Sequence, residues 1–370
     1  MAMTNKENHN HIGRIAINTT RLSLLAVLAF AATSPTYATI NCAGYLPSSY
    51  FERIRNNKPF AGKLAEKADG AQQLQDLNGN IITDNLSDAY IVMNKYVLAQ
   101  QNGKYGVVNA AGKIIVPFNY DDIQTQPDIG NSFIVSVKSL DGDTKQGIIN
   151  RNGDWIYPLA NARIKHAHYD SDYDQDYFLV TDNVATNHKG LTGLLDDRGY
   201  WAVMPLYDVI NPLNPCTGQP LYLQVSLQNK TALIDQSSNI IIPFLVNQHI
   251  ESFNNNISPL LFLRSNLGDV PDTAVADIAT AMSEDIQEYI VSAEIIDANG
   301  KLVLSSDAPI RKLLYHQLYT YGQAGQYGVI NYKGEVILEP QFDSYRDNAD
   351  KVWLEKNGKM IDLNTLTILD

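Results

Sequence analysis

Short apolar runs separated by a four-residue polar turn recur along this chain. In 104–123, KYGVVNAAGKIIVPFNYDDI, the pair Val107-Val108 and the run Ile114–Val116 flank Asn109-Ala-Ala-Gly112. A near copy, QYGVINYKGEVILEPQFDSY, stands at 326–345. Asn or Asp first and Gly fourth predict a type I turn closing a β-hairpin. The acid or amide bonds back to the turn amides, and Gly takes the positive-φ position that follows. The pattern also occurs at Asp76–Gly79, Asn150–Gly153, Asp196–Gly199, Asp297–Gly300 and Asn331–Gly334. Asp235-Gln-Ser-Ser238 keeps the acid and loses the Gly, and Asp362-Leu-Asn-Thr365 is a degenerate further copy.

The flanks repeat with the turns. An apolar pair precedes each one from Asn109 to Asn331, and a β-branched or aromatic run follows. Pro117, Pro158, Pro205, Pro243 and Pro340 lie shortly after their turns. A Pro cannot donate to a ladder, so each should end its strand or hold it at a sheet edge. Gly106, Gly147, Gly193 and Gly328 stand six residues before a turn Gly, with Ala232 at that place in another copy. A small residue inside a strand predicts a bulge or a close backbone approach. The turn-to-turn spacings are 33, 41, 46, 39, 62, 34 and 31 residues. Spacings that cluster near 40 mark a repeat architecture, whose units share a core with their neighbours. The expected fold is all-β, an array of about seven hairpin-based repeats of three or so strands each. It is open, curved and solenoid-like, or propeller-like.

Two segments break the pattern. The long spacing holds an insertion at 266–290, where Val275, Ile278, Met282 and Ile286 recur at helical intervals, predicting a short amphipathic helix over 273–289. Residues 45–67 are expected to form a helical cap on the first repeat. The organisation expected is a leader over 1–38, a capping segment over 39–69 and a β-repeat domain over 70–370.

Tyr105-Gly106, Val107, Val108, Asn109, Gly112, Pro117, Tyr120 and Asp121 form a unit that resembles the WG, or KWG, β-repeat of bacterial proteins. Tyr327-Gly328 through Pro340, Phe342 and Asp343 resembles it too. The departure is Tyr, Gln or Thr where the family favours Trp. The resemblance covers roughly 70–370 and implies an all-β scaffold used as an interaction module. It implies no catalytic residues, and none are carried over.

Composition adds compartment and partner class. Lys6, Arg14 and Arg21 precede the apolar run Leu22–Ala32, and SPTYA ends in a small-residue cleavage site after Ala38. That run is too short for a bilayer span of about 20 residues and reads as a secretory signal, with a retained anchor as the alternative. The expected location is periplasmic or secreted. Residues 1–38 hold three basic residues and one acid, so the remainder carries 25 basic and 39 acidic residues, a net charge of −14. An acidic surface argues against nucleic acid. Cys42 and Cys216 are the two cysteines, and in an oxidising compartment an even pair predicts a disulfide.

Candidate chemistry is sparse. His166, His168, Asp170, Asp172 and Asp174 could hold Ca²⁺ or Zn²⁺, since alternating acids suit a hard cation and two His at i, i+2 share a strand face. The competing reading is an acidic solvated loop. Asp121, Asp122, Asp208 and Asp343 stand at repeated places, which favours a structural role over catalysis. The 21 Tyr and three Trp suit sugar stacking, but they are also favoured strand residues. No nucleophile elbow, zinc helix, phosphate loop or dinucleotide fingerprint occurs. The reading is therefore a non-catalytic scaffold that binds a protein or an envelope glycan and needs no cofactor. An envelope-acting hydrolase, metal- or carboxylate-dependent, is the competing class.

Overall fold

A computed structural model describes residues 61–370 except 93–94, 110, 126–131, 141, 171–172, 183–189, 214–219, 255–257, 271–285, 315–316, 324, 349–350, 364–366 and 370. The leader, Cys42, Cys216, Asp172 and most of the inserted segment lie outside the described residues. Among the described residues the fold is all-β, in seven antiparallel meanders. The first has six strands, β1 (Gly62–Glu66), β2 (Gln72–Asp76), β3 (Ile81–Val92), β4 (Tyr96–Gln101), β5 (Lys104–Asn109) and β6 (Ile114–Tyr120). The second has β7 (Asp122–Thr125), β8 (Ser132–Lys138), β9 (Thr144–Asn150) and β10 (Trp155–Ala160). The third has β11 (Arg163–Asp170), β12 (Gln175–Asp182), β13 (Leu191–Asp196) and β14 (Trp201–Tyr207). The fourth has β15 (Val209–Pro212), β16 (Tyr222–Leu227), β17 (Lys230–Asp235) and β18 (Ile240–Leu245). The fifth has β19 (Gln248–Ser252), β20 (Leu261–Leu267), β21 (Ile290–Asp297) and β22 (Leu302–Ser306). The sixth has β23 (Arg311–Lys312), β24 (Leu318–Gln323), β25 (Gln326–Asn331) and β26 (Val336–Phe342). The seventh has β27 (Ser344–Asp347), β28 (Val352–Lys356), β29 (Lys359–Asp362) and β30 (Thr367–Leu369). The first five sheets belong to one compact unit and the last two to another.

Two expectations change. Six of the seven sheets have four strands, not three. The added strand is the short first one, such as β7, which pairs with β8 from Asp122↔Ser136 to Thr125↔Phe133. The helical cap expected over 45–67 is corrected at its described end, 45–60 lying outside the described residues: Gly62–Glu66 is strand β1, paired with β2 from Gly62↔Asp76 to Glu66↔Gln72. The backbone groups of β1 are satisfied by that ladder. The described end of the insertion is a single 3-10 turn, Gln287–Tyr289, following the fully buried Ile286.

The inner strands are buried on both faces. On β8, Phe133 and Val135 join the cluster of Tyr96, Val107 and Val116 from the first sheet. Their neighbour Ile134 faces the other way, into a cluster with Ile164, Phe178 and Val180 of the third sheet. Leu194 and Val203 then meet Leu223 and Val225 of the fourth sheet. Leu233 and Ile242 meet Ile250 and Phe262 of the fifth. In the second unit, Val329 and Leu338 pack with Val352 and Leu354. Strands covered on both faces read as continuous apolar runs, which is why the pairs before the turns do not alternate.

The turns carry the repeat geometry. At Asp196, the carbonyl accepts Gly199 N–H at 3.1 Å and the N–H donates to Tyr200 carbonyl at 2.9 Å. Asp196 Oδ1 accepts the N–H groups of Arg198 and Tyr200 at 3.0 and 2.8 Å. Asp76, Asn109, Asn150, Asp235 and Asp297 hold the same two amides. One side-chain oxygen thus satisfies two donors, which explains why only Asp or Asn stands there.

At Gly153, Gly199 and Gly300 the fourth residue of the turn also touches the preceding sheet. A Cβ on Gly153 (φ +96°) would lie 2.9 Å from Ile115 O, one on Gly199 3.1 Å from Ile156 O, and one on Gly300 2.8 Å from Ile241 O. Each carbonyl sits three residues after the previous turn's fourth position. Where Ser238 replaces Gly, its hydroxyl donates to the equivalent carbonyl, that of Ala202, at 3.4 Å. The turn is therefore an intersheet lock as well as a hairpin closure.

The mid-strand glycines lie under a bulge. Val107 pairs with Val116 and Tyr105 with Tyr120, so three residues containing Pro117 oppose Gly106 alone. A Cβ at Gly106 would approach Phe118 at 2.7 Å and Val116 O at 2.9 Å. The Pro residues do not end their strands. They sit inside β6, β10, β14, β18 and β26, each the outermost strand of its sheet. A bulge and a missing donor on an outer strand protect it from pairing with another chain.

Candidate functional site

An antiparallel meander sends its connections alternately to opposite ends. In each four-stranded sheet the first and third connections therefore share an end, which also carries the repeated turns. In the second and third sheets this end gathers polar side chains around a cavity of about 180 Å³. Ser132 opens β8, and Asn150, Arg151 and Asn152 form the β9–β10 turn. Asp174 is at the β11–β12 tip, and Asp197 and Arg198 are the middle of the β13–β14 turn. All seven line the cavity.

A hydrogen-bonded network backs it. Gln175 Nε2 donates to Asp196 Oδ2 at 2.8 Å, and Arg198 pairs with the same oxygen at 3.2 Å. Asp176 N–H donates to Asp197 Oδ2 at 3.3 Å. His166 Nε2 and Asp176 Oδ1 are 2.8 Å apart. Tyr169 hydroxyl donates to Asp174 Oδ1 at 2.5 Å. Burial pushes the Asp197 carboxyl up to about 6, and the nearby carboxylates of Asp176 and Asp196 add to this while Arg198 opposes it.

Of the five residues expected to bind a metal, His166, His168, Asp170 and Asp174 are described. The β11–β12 register shifts between His166 and His168, so the two imidazoles do not follow simple i, i+2 alternation. His168 is buried beside Tyr177, with ring centroids 6.4 Å apart, while His166 is engaged by Asp176. Asp170 accepts Tyr173 N–H at 3.3 Å. Among the described residues no three His, Cys, Asp or Glu side chains gather as metal ligands. Sequence reasoning passed over Asp197, Arg198 and Arg151. They are the variable middle positions of two turns, and their signal is charge where the other copies, apart from Lys333, have neutral residues.

The repeated acids are braces. Oδ2 of Asp121, Asp208 and Asp343 accepts the N–H of Lys138, Gln228 and Asn357 at 2.8, 2.9 and 2.7 Å. Each acid thereby holds the next sheet's second hairpin, and Asp121 also binds Lys104 at 2.5 Å.

A family model for the WG containing repeat matches residues 105–125 and 327–359. These two segments carry the WG repeat. Both matches begin at the aromatic-Gly pair that lies under a bulge, and both include the bracing acid. No curated protein matches the chain at a significant level. Among solved structures, a eukaryotic initiation factor is similar at 8% identity and a TM-score of 0.30, covering 82% of this chain and 93% of that one. The β-propeller domain of the Trilobed protease from Pyrococcus furiosus is similar at 10% identity and a TM-score of 0.26, covering 82% and 97%. The Myceliophteria thermophila Cps50 (Swd1) β-propeller domain gives 13%, 0.24, 70% and 89%. Scores at this level carry nothing about activity.

Proposed function

We propose that this WG-repeat chain is an exported, non-catalytic scaffold that holds a protein or a cell-envelope glycan. The observation that carries the reading is a repeated exposed apolar position. Ile114, Trp155, Ile240 and Leu302 each stand two residues after a turn's fourth position, and they are 50, 47, 59 and 51% exposed. Single exposed apolar residues are ordinary on a soluble surface. The same position left apolar and exposed in four sheets of one unit is a patterned surface. The Pro-bearing bulges discourage strand addition at these edges, so a partner would meet side chains rather than an open ladder. Export rests on the basic leader, the short apolar run and the small-residue site after Ala38. The hydrolase alternative keeps one supporting observation, the raised carboxyl of Asp197 lining the same cavity as Asp174.

The test is retention of envelope material on the immobilised chain, with and without EDTA, beside an Ile114→Asp/Ile240→Asp variant. Retention that survives EDTA and falls in the variant supports the scaffold. Retention unchanged in the variant removes the apolar positions from the argument. Release of cut polymer, read as new reducing ends, would replace the scaffold with the hydrolase.

A further inference from the structure

The cavity between the second and third sheets has a lining that points to a ligand class. Arg151 and Arg198 face the same space as Asp174 and Asp197, so the formal charges balance. A free cation would meet two guanidinium groups, and a free anion two carboxyl groups. Donors and acceptors interleave instead, with Asn152 adding an amide that does both. Ser132 supplies a second observation. It lines the cavity and is only 5% exposed, and its hydroxyl has no hydrogen-bond partner among the described residues. Its Oγ is itself buried, so the hydroxyl meets a ligand only after a rotamer change, and a hydrogen bond made there would recover the cost of leaving it unpaired. The volume of about 180 Å³ is well below that of a drug-sized pocket, about 300–1,000 Å³. Tyr173 directly precedes Asp174, and Tyr200 directly follows the 196–199 turn; they are 76 and 71% exposed. Neither lines the cavity itself; each is an exposed aromatic residue beside a connection that does.

We propose that this cavity binds one neutral sugar residue, free or at the end of a glycan, through interleaved hydrogen bonds. The assignment rests on the scaffold reading and narrows its partner. A small neutral ligand held by a handful of hydrogen bonds should bind with a Kd on the order of 1 mM.

The experiment is saturation-transfer NMR on the full chain with glucose, galactose and N-acetylglucosamine. Inorganic phosphate and calcium chloride serve as charged probes. Arg151→Ala and Asp197→Asn alter different sheets, and both are checked for an unchanged far-ultraviolet spectrum. Should either fail to fold, Ser132→Ala is the third variant. The expected result is saturable binding of at least one sugar, weakened about tenfold or more in the variants, a loss of one decade in Kd. Neither charged probe should compete. No sugar signal up to about 100 mM, a hundredfold above the expected Kd, overturns the proposal. Sugar binding that the variants leave intact also overturns it, as does a phosphate response that Arg151→Ala abolishes. Envelope retention that persists in these cases leaves the scaffold standing; loss of both removes both. A polymer with the same terminal sugar that binds at least tenfold tighter than the free sugar supports a glycan end as the source.

Discussion

Alanine at the fourth turn position separates hairpin closure from the intersheet lock. Gly79 and Gly153 both have positive φ, +87° and +96°, and both lie in the first compact unit. A Cβ on Gly79 meets nothing within 4 Å, while one on Gly153 lies 2.9 Å from Ile115 O. Left-handed backbone costs a non-glycine residue about 1–2 kcal/mol, so Gly79→Ala should lose that amount. Gly153→Ala should lose the same plus an overpacking cost of about 1–3 kcal/mol, because a strand carbonyl cannot retreat without disturbing its sheet. Gly199→Ala, at 3.1 Å from Ile156 O, should fall between them, and Gly300→Ala, at 2.8 Å from Ile241 O, should match or exceed Gly153→Ala. Urea unfolding of each full-length variant, with its m-value compared to the parent, reads the differences. Equal losses at 79 and 153, within about 0.5 kcal/mol, would refute the lock, since φ alone would then account for both.

Three further outcomes follow from the same geometry. Ser238→Gly should stabilise the chain by a few tenths to about 1 kcal/mol, because relief at φ +67° outweighs a long, exposed hydrogen bond to Ala202 O, and urea midpoints read it. Asp208→Ala should cost about 1 kcal/mol by orphaning Gln228 N–H, and Asp208→Asn should recover most of it. Asp197 is raised from 3.8 to about 6, so between those values the folded chain binds more protons than the unfolded one. Its contribution to stability is therefore present below about pH 4 and declines up to about pH 6, and Asp197→Asn should flatten that part of the unfolding profile.

What was legible in the sequence follows from how local each cause is. The turns could be read because one Asp or Asn oxygen and one positive-φ residue act within five consecutive positions. The glycine under each bulge could be read because its neighbour Pro lies on the adjoining strand. The short first strands could not: β7 has four residues and β23 two, with no alternation to mark them. Gly62–Glu66 became a strand because Leu64 pairs with Leu74 across a ladder that local propensity does not announce. The cavity was hidden for a topological reason. It combines the start of β8 with three connections from two sheets, and none of its residues belongs to a chemical motif. The His166–Asp174 stretch drew notice for its composition. Its neighbours Asp176 and Gln175 instead tie it to the 196–198 turn.

The two ends of each sheet should differ in how they tolerate length. The turn end locks one sheet to the last through a single residue, while the second connection lies at the opposite end. Second connections already differ in length: β8–β9 is joined by 139–143, whereas β20–β21 is joined by 268–289. Adding four Gly/Ser residues after Leu140, fully exposed at the β8–β9 tip, nearly doubles a five-residue connection. Loop closure then costs about 0.6 kcal/mol. The same four residues after Arg151 would displace Gly153 from Ile115 O and separate Asn150 Oδ1 from the N–H groups of Asn152 and Asp154. Losing two hydrogen bonds and the lock should cost about 2–4 kcal/mol. Urea unfolding of the two insertion variants compares them directly. A loss at 140 as large as that at 151 would mean that the sheets are held together evenly at both ends, contrary to a lock concentrated in the turns.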